Sequence, residues 1–184
     1  MKWKGSVVAD VSARRTGYKL SNMLIALGVM LFIIVVAVLI VPRRSYDAVK
    51  VVSTADVIRG TQRLAPYHVY VPHGLPPGWR PTSARLTAPE REGDPTGMHI
   101  GYVTPLNDYA ALEESNEKTR SFVPLMTQRG KFVGVQTVNG VLWDQRYSAE
   151  RQVRALVRSI GQATIVITGN ASYEELGVLA SSLR

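Results

Sequence analysis

His68, His73 and His99 are the only histidines in the 184-residue chain, so metal or proton-transfer chemistry would have to draw on them. Their spacing fits no metal motif. His68 and His73 lie five apart across a proline-containing stretch, whereas a helical zinc pair needs a separation of four. Cysteine is absent, which excludes disulfides, a thiol nucleophile, Cys-ligated zinc and a lipidated lipoprotein cysteine. No serine stands in a Gly-x-Ser-x-Gly elbow, and neither of the glycine patterns that cradle phosphate occurs. Glu113-Glu114 ahead of Ser115 reads as a polar helix face. Glu174-Glu175 is explained by the first turn of a helix, where acidic groups complement the macrodipole. Trp79, beside a proline loop, and Trp143, on a hairpin, are the two side chains placed to line an apolar groove or partner surface, with core packing as the alternative. The sequence therefore predicts no catalytic, metal or cofactor site.

The elements that position these residues begin with Met23 to Val41, nineteen residues without a charged or polar side chain. As a helix they reach about 28 Å, one bilayer core. The run is longer than the apolar region of a cleavable signal, and Pro42-Arg43-Arg44 at its exit offers no cleavage site, which favours a permanent anchor. Residues 1 to 45 carry seven Lys or Arg against Asp10, and the remainder carries fifteen against thirteen acidic residues. The basicity thus belongs to the flanks of the span, where it meets anionic headgroups, and a nucleic-acid partner is not expected. The implied order is a cytoplasmic basic tail over 1–22, a transmembrane helix over 23–41, a juxtamembrane helix and linker over 42–66, and an extracytoplasmic domain over 67–184.

In the linker, a three-and-four spacing of Ala48, Val51, Val52, Ala55 and Ile58 predicts a helix over Asp47 to Leu64, closed by Gly60 and by Ala65-Pro66. Tyr67 to Val71 reads as a first strand, Pro72 to Trp79 as a rigid loop, Trp79 to Thr87 as an edge strand tolerant of Pro81, and Met98 to Thr104 as another strand. Asn107 or Asp108 is expected to cap a short helix over Tyr109 to Lys118. Asn139-Gly140 between apolar runs predicts a two-residue hairpin, with Gln136 opposite Trp143 and Phe132 opposite Tyr147. Gly161-Gln162 marks a second hairpin whose first arm, Val153 to Ile160, also suits a helix. Ser172-Tyr173-Glu174-Glu175 is a capping box that opens a final helix, with Leu176, Leu179, Ala180 and Leu183 on one face. Strands with a few helices and no βαβ rhythm predict an α+β domain with a mainly antiparallel sheet covered by helices.

Several phrases together carry a family likeness: Pro72 to Trp79, Gly101-Tyr102-Val103-Thr104-Pro105, Tyr109-Ala110, Glu114-Ser115, Gly140 with Trp143, Gly169-Asn170-Ala171-Ser172, and Leu179 to Leu183. In these the chain resembles an actinobacterial family of single-pass, membrane-anchored envelope proteins known as a domain of unknown function. The resemblance implies an extracytoplasmic setting and supplies no catalytic residues. An anchor joined to a chemistry-poor domain leads to the expectation of a non-enzymatic envelope module that contacts the bilayer through 23–41 and binds an envelope partner. The alternative is a carrier of lipid or another apolar molecule, held between the sheet and the Ser172 to Arg184 helix and bordered by Trp79.

Overall fold

The computed structural model describes residues 15–40 and 52–184. The basic tail before Arg15, the Pro42-Arg43-Arg44 exit and the expected helical start at Asp47 lie outside the described residues. The chain divides into two compact units, Met1–Asp47 and Ala48–Arg184. In the first unit a single helix, α1, runs Arg15–Ile40. Its apolar side chains from Met23 to Ile33 are all more than half exposed. Side-chain exposure is described continuously over 22–33, a stretch of about 18 Å at the helical rise, and among the described residues no helix is long and apolar enough to cross a membrane.

The second unit is built on one seven-stranded antiparallel sheet: β1 Arg80–Thr87, β2 Gly97–Val103, β3 Tyr109–Ser115, β4 Lys131–Val138, β5 Val141–Ser148, β6 Val153–Ile160 and β7 Ala163–Gly169. The spatial order is β1-β2-β3-β7-β6-β5-β4, two meanders that meet where β3 pairs with β7. Three helices accompany it, α2 Ala55–Leu64, α3 Thr119–Met126 and α4 Tyr173–Ser181. This is the expected α+β architecture with an antiparallel sheet.

One sheet face presents Ile100, Leu112, Leu156, Ile165 and Ile167, all fully buried beneath Leu176 and Leu179 of α4. The other carries a smaller core, in which Phe122 and Val123 of α3 meet Ala155, Val157 and Val166. Buried on both faces, β7 reads as a continuous apolar run without alternation. At the start of α4 the Ser172 hydroxyl accepts from the Glu175 backbone N–H and the Glu175 carboxylate accepts from that of Ser172, completing the capping box. Asn139 and Gly140 both take positive φ, 50° and 76°, as a type I′ turn requires, and Gln136 faces Trp143. The Gly161 turn joins two strands, so the arm Val153 to Ile160 is extended.

Four local expectations are corrected. Tyr67 to Val71 is no sheet strand; the segment lies over the first face, where the Val71 N–H donates to the Arg184 carbonyl and the Val71 carbonyl accepts from the Arg184 N–H. Tyr109 to Lys118 is no helix: Asn107, at φ 64°, turns the chain so that β3 hairpins back on β2, and pairing on both edges overrides the helical preference of Ala, Leu and Glu. Gly60 does not end α2 but lies inside it, where a side chain would meet Leu86 of β1. Phe132 faces Arg146 rather than Tyr147, because a bulge between Phe132 and Gly134 shifts the register by one residue.

Candidate functional site

Neighbouring residues on a strand point to opposite faces, and cross-strand partners share one. Met98, Ile100 and Tyr102 belong to the α4-side core, so His99 and Gly101 face the α3 side. Glu113 pairs with Val166 of the α3-side core and with His99 on its other edge, and Ser83 pairs with Gly101. Strand order thereby gathers Ser83, His99 and Glu113 from three adjacent strands. The His99 Nδ1 lies 2.6 Å from a Glu113 carboxylate oxygen, and its Nε2 lies 2.9 Å from the Ser83 hydroxyl. An ionised carboxylate only accepts, so Nδ1 carries the proton and Nε2 accepts from the Ser83 O–H. An Arg85 guanidinium nitrogen stands 3.4 Å from the same Nε2. The His99 and Glu113 side chains are each 14% exposed, which shields the pair from water while leaving it reachable.

Gly101 forms the floor beside this line. A side chain there would collide with the Ser83 hydroxyl and lie 2.6 Å from the Tyr109 hydroxyl. Burial pushes the Tyr109 phenol upward, and the Ser83 hydroxyl beside it pulls the other way. The phenol therefore stays a neutral donor across the physiological range.

The carboxylate next in sequence has the opposite fate. Glu114 points into the α4-side core, is fully buried, and among the described residues accepts only from the Tyr70 backbone N–H, at 3.1 and 3.2 Å. Desolvation raises its pKa to about 8, against the smaller downward pull of that hydrogen bond. Burial likewise pushes the Tyr102 phenol up to about 12, and that of Tyr67 higher still.

A second feature of the α3-side face lies at the far end of the sheet. Phe132, Val135 and Leu142 on β4 and β5 are 57%, 57% and 64% exposed. Leu142 lines a groove of about 710 Å³ between α3 and strands β5 and β6, whose walls also include Val123, Pro124 and Val157. Two guanidiniums, Arg120 and Arg146, face it against the carboxylate of Asp144, while Arg158, paired with Ile165, turns to the other face and lies over the Trp143 ring at 6.0 Å. Arg146 donates to the Gly130 carbonyl at 3.3 Å, and its buried Nε–H has no partner among the described residues.

Trp79 and Trp143 stand at opposite ends of the sheet. Trp79 is half-buried against Tyr102, with ring centroids 6.0 Å apart, while Trp143 is buried in the core and borders a cavity of about 150 Å³ beneath α4. His68 and His73 are exposed and separate from His99 in the fold, and among the described residues no group of three potential metal ligands occurs. Ser83 and Glu113 escaped sequence reasoning because their partnership depends on strand order. The one available signal was alternation through Met98 to Tyr102, which places His99 opposite the core residues.

Comparison with the curated proteins and with the solved structures finds no match for the chain. A family model described as a protein of unknown function (DUF4245) matches residues 15–183, nearly the whole length, and the chain belongs to that family.

Proposed function

We propose that the protein is a membrane-anchored envelope module of an actinobacterial type, held by residues 23–41 and binding a partner outside the cytoplasmic membrane through the groove beside α3. The groove carries this reading. An apolar floor of Val123, Pro124, Leu142 and Val157, with two guanidiniums against one carboxylate, suits an acidic segment of an envelope protein that also offers apolar side chains. The charge-free run in α1, with its exposed side chains, supports the anchor, because an apolar helix uncovered by protein is stable in lipid.

A photo-crosslinking residue at position 142, in the full chain in its native membrane, tests the reading. One discrete protein adduct is expected, absent with the same residue at Thr87 on the opposite edge strand. Identical adduct patterns at both positions refute it. A second reading, an anionic apolar ligand such as a lipid, draws on the same arginines and floor. Native mass spectrometry of protein extracted gently from membranes separates the two by the mass of what remains bound.

A further inference from the structure

We propose that Ser83 is a nucleophile for acyl transfer, with His99 as its general base and Glu113 holding the imidazole in the required tautomer. The site lies at the opposite end of the sheet from the groove and does not depend on that reading. A serine hydroxyl is a weak nucleophile until a neighbouring base can take its proton, and the base must be fixed by a third group. All three requirements appear in one line: Ser83 Oγ to Nε2 at 2.9 Å, and Nδ1 to the Glu113 carboxylate at 2.6 Å. The arrangement comes from three strands of an antiparallel sheet, and such constellations are recognised by geometry and role rather than by sequence order.

The surroundings supply the other elements of the reaction. As the Ser83 oxygen bonds to an ester carbonyl carbon, its proton passes to Nε2 and negative charge develops on the carbonyl oxygen. The neutral Tyr109 hydroxyl beside Ser83 is the donor placed to receive that charge, while the Arg85 guanidinium, 3.4 Å from Nε2 and itself only a donor, shares the Nε2 lone pair with the Ser83 O–H in the resting site. The proton on Nε2 then goes to the departing alcohol as the ester C–O bond breaks, leaving acyl-Ser83. Water attacks the acyl group, gives one proton to Nε2, and releases the carboxylic acid as that proton returns to Ser83. No co-reactant beyond water is needed. The flanks of Ser83 are polar, Arg85 and Tyr109, so the substrate class is an ester of a short acyl group rather than a fatty chain. Gly101 is required because any side chain there would occupy the space of the two hydroxyls.

The full chain in mild detergent is treated with a fluorophosphonate probe, and the modified residue is located by peptide mass mapping; hydrolysis of p-nitrophenyl acetate is followed in parallel. Stoichiometric labelling of Ser83 is expected in the wild type, because an unactivated serine hydroxyl does not react. Ser83→Ala abolishes it, and His99→Gln lowers the labelling rate at least about 100-fold, the scale of general-base catalysis. An unlabelled Ser83 in folded wild-type protein overturns the proposal. So does labelling that is equally fast in His99→Gln, which would make the three groups a structural hydrogen-bond chain. Should His99→Gln not fold, the wild-type result decides alone, supported by a slower rate in Glu113→Gln.

Discussion

Glu114→Gln separates the protein's stability from pH over a window that the buried carboxyl alone defines. Glu114 is fully buried and among the described residues pairs with no cation; only the Tyr70 N–H approaches it. Its pKa rises from 4.5 to about 8 on folding. Below 4.5 the group is protonated whether the chain is folded or not, and it contributes no pH dependence. Between 4.5 and 8 the unfolded chain has released the proton while the folded chain retains it, so stability falls as pH rises, by up to about 1.4 kcal/mol per unit. Above 8 both forms are ionised and the loss is complete, on the order of 5 kcal/mol.

Glutamine keeps the shape and an acceptor for the Tyr70 N–H but has no proton to lose. Urea unfolding of the full chain in mild detergent, wild type against variant from pH 4.5 to 9, reads the difference directly. The two proteins are expected to be similar at pH 4.5, with the variant increasingly more stable toward pH 9, where the difference reaches on the order of 5 kcal/mol. Every other titration is common to both proteins, so the difference curve isolates Glu114. Parallel profiles would refute the claim that an uncompensated carboxyl lies in the core.

Arg120→Glu, at an exposed position of α3 lining the groove, should leave stability within about 0.5 kcal/mol in urea titrations while removing the partner crosslinked at position 142. Leu176→Ala, on the inner face of α4 and fully buried, should cost about 2 to 5 kcal/mol by the same measurement, in proportion to how little the cavity collapses. Gly169→Ala drives a methyl group into the backbone carbonyl of Tyr109 where β7 meets β3, and a loss of at least about 3 kcal/mol or failure to express as folded protein is expected. Ser172→Ala removes one half of the capping box and should cost about 1 kcal/mol, with the exchange protection of the first α4 amides falling most.

The parts of this fold legible in the sequence are those specified by neighbours in the chain. Asn139-Gly140 dictates its own turn through two positive φ angles, and Ser172 with Glu175 dictates a helix start, so both are read correctly without knowledge of the rest. β3 was illegible for the opposite reason. Tyr-Ala-Ala-Leu-Glu-Glu-Ser has the local preference of a helix, and pairing with β2 and β7, one of them more than fifty residues away, decides its conformation. That single misreading hid the chemistry. On a helix Glu113 and Glu114 share a polar face, whereas on a strand they part, one to His99 and the other into the core.

The same strand order accounts for where uncovered surface remains. After β3 the chain must reach β4 at the far edge, passing over β7, β6 and β5. α3 lies on that path and covers Ala155, Val157 and Val166 near the middle of the face. Among the described residues the helix on this face, α3, meets only its middle, leaving the β1–β2–β3 end with Ser83, His99 and Glu113, and the β4–β5 end with Val135 and Leu142, beyond its reach. The opposite face has α2, α4 and the 65–79 segment packed on its core, with a cavity of about 150 Å³ beside Trp143. An expected carrier cleft under the final helix would compete with Leu176 and Leu179 for that volume. The polar relay and the arginine-lined groove compete with nothing, which is why the assignable chemistry lies on the α3 side.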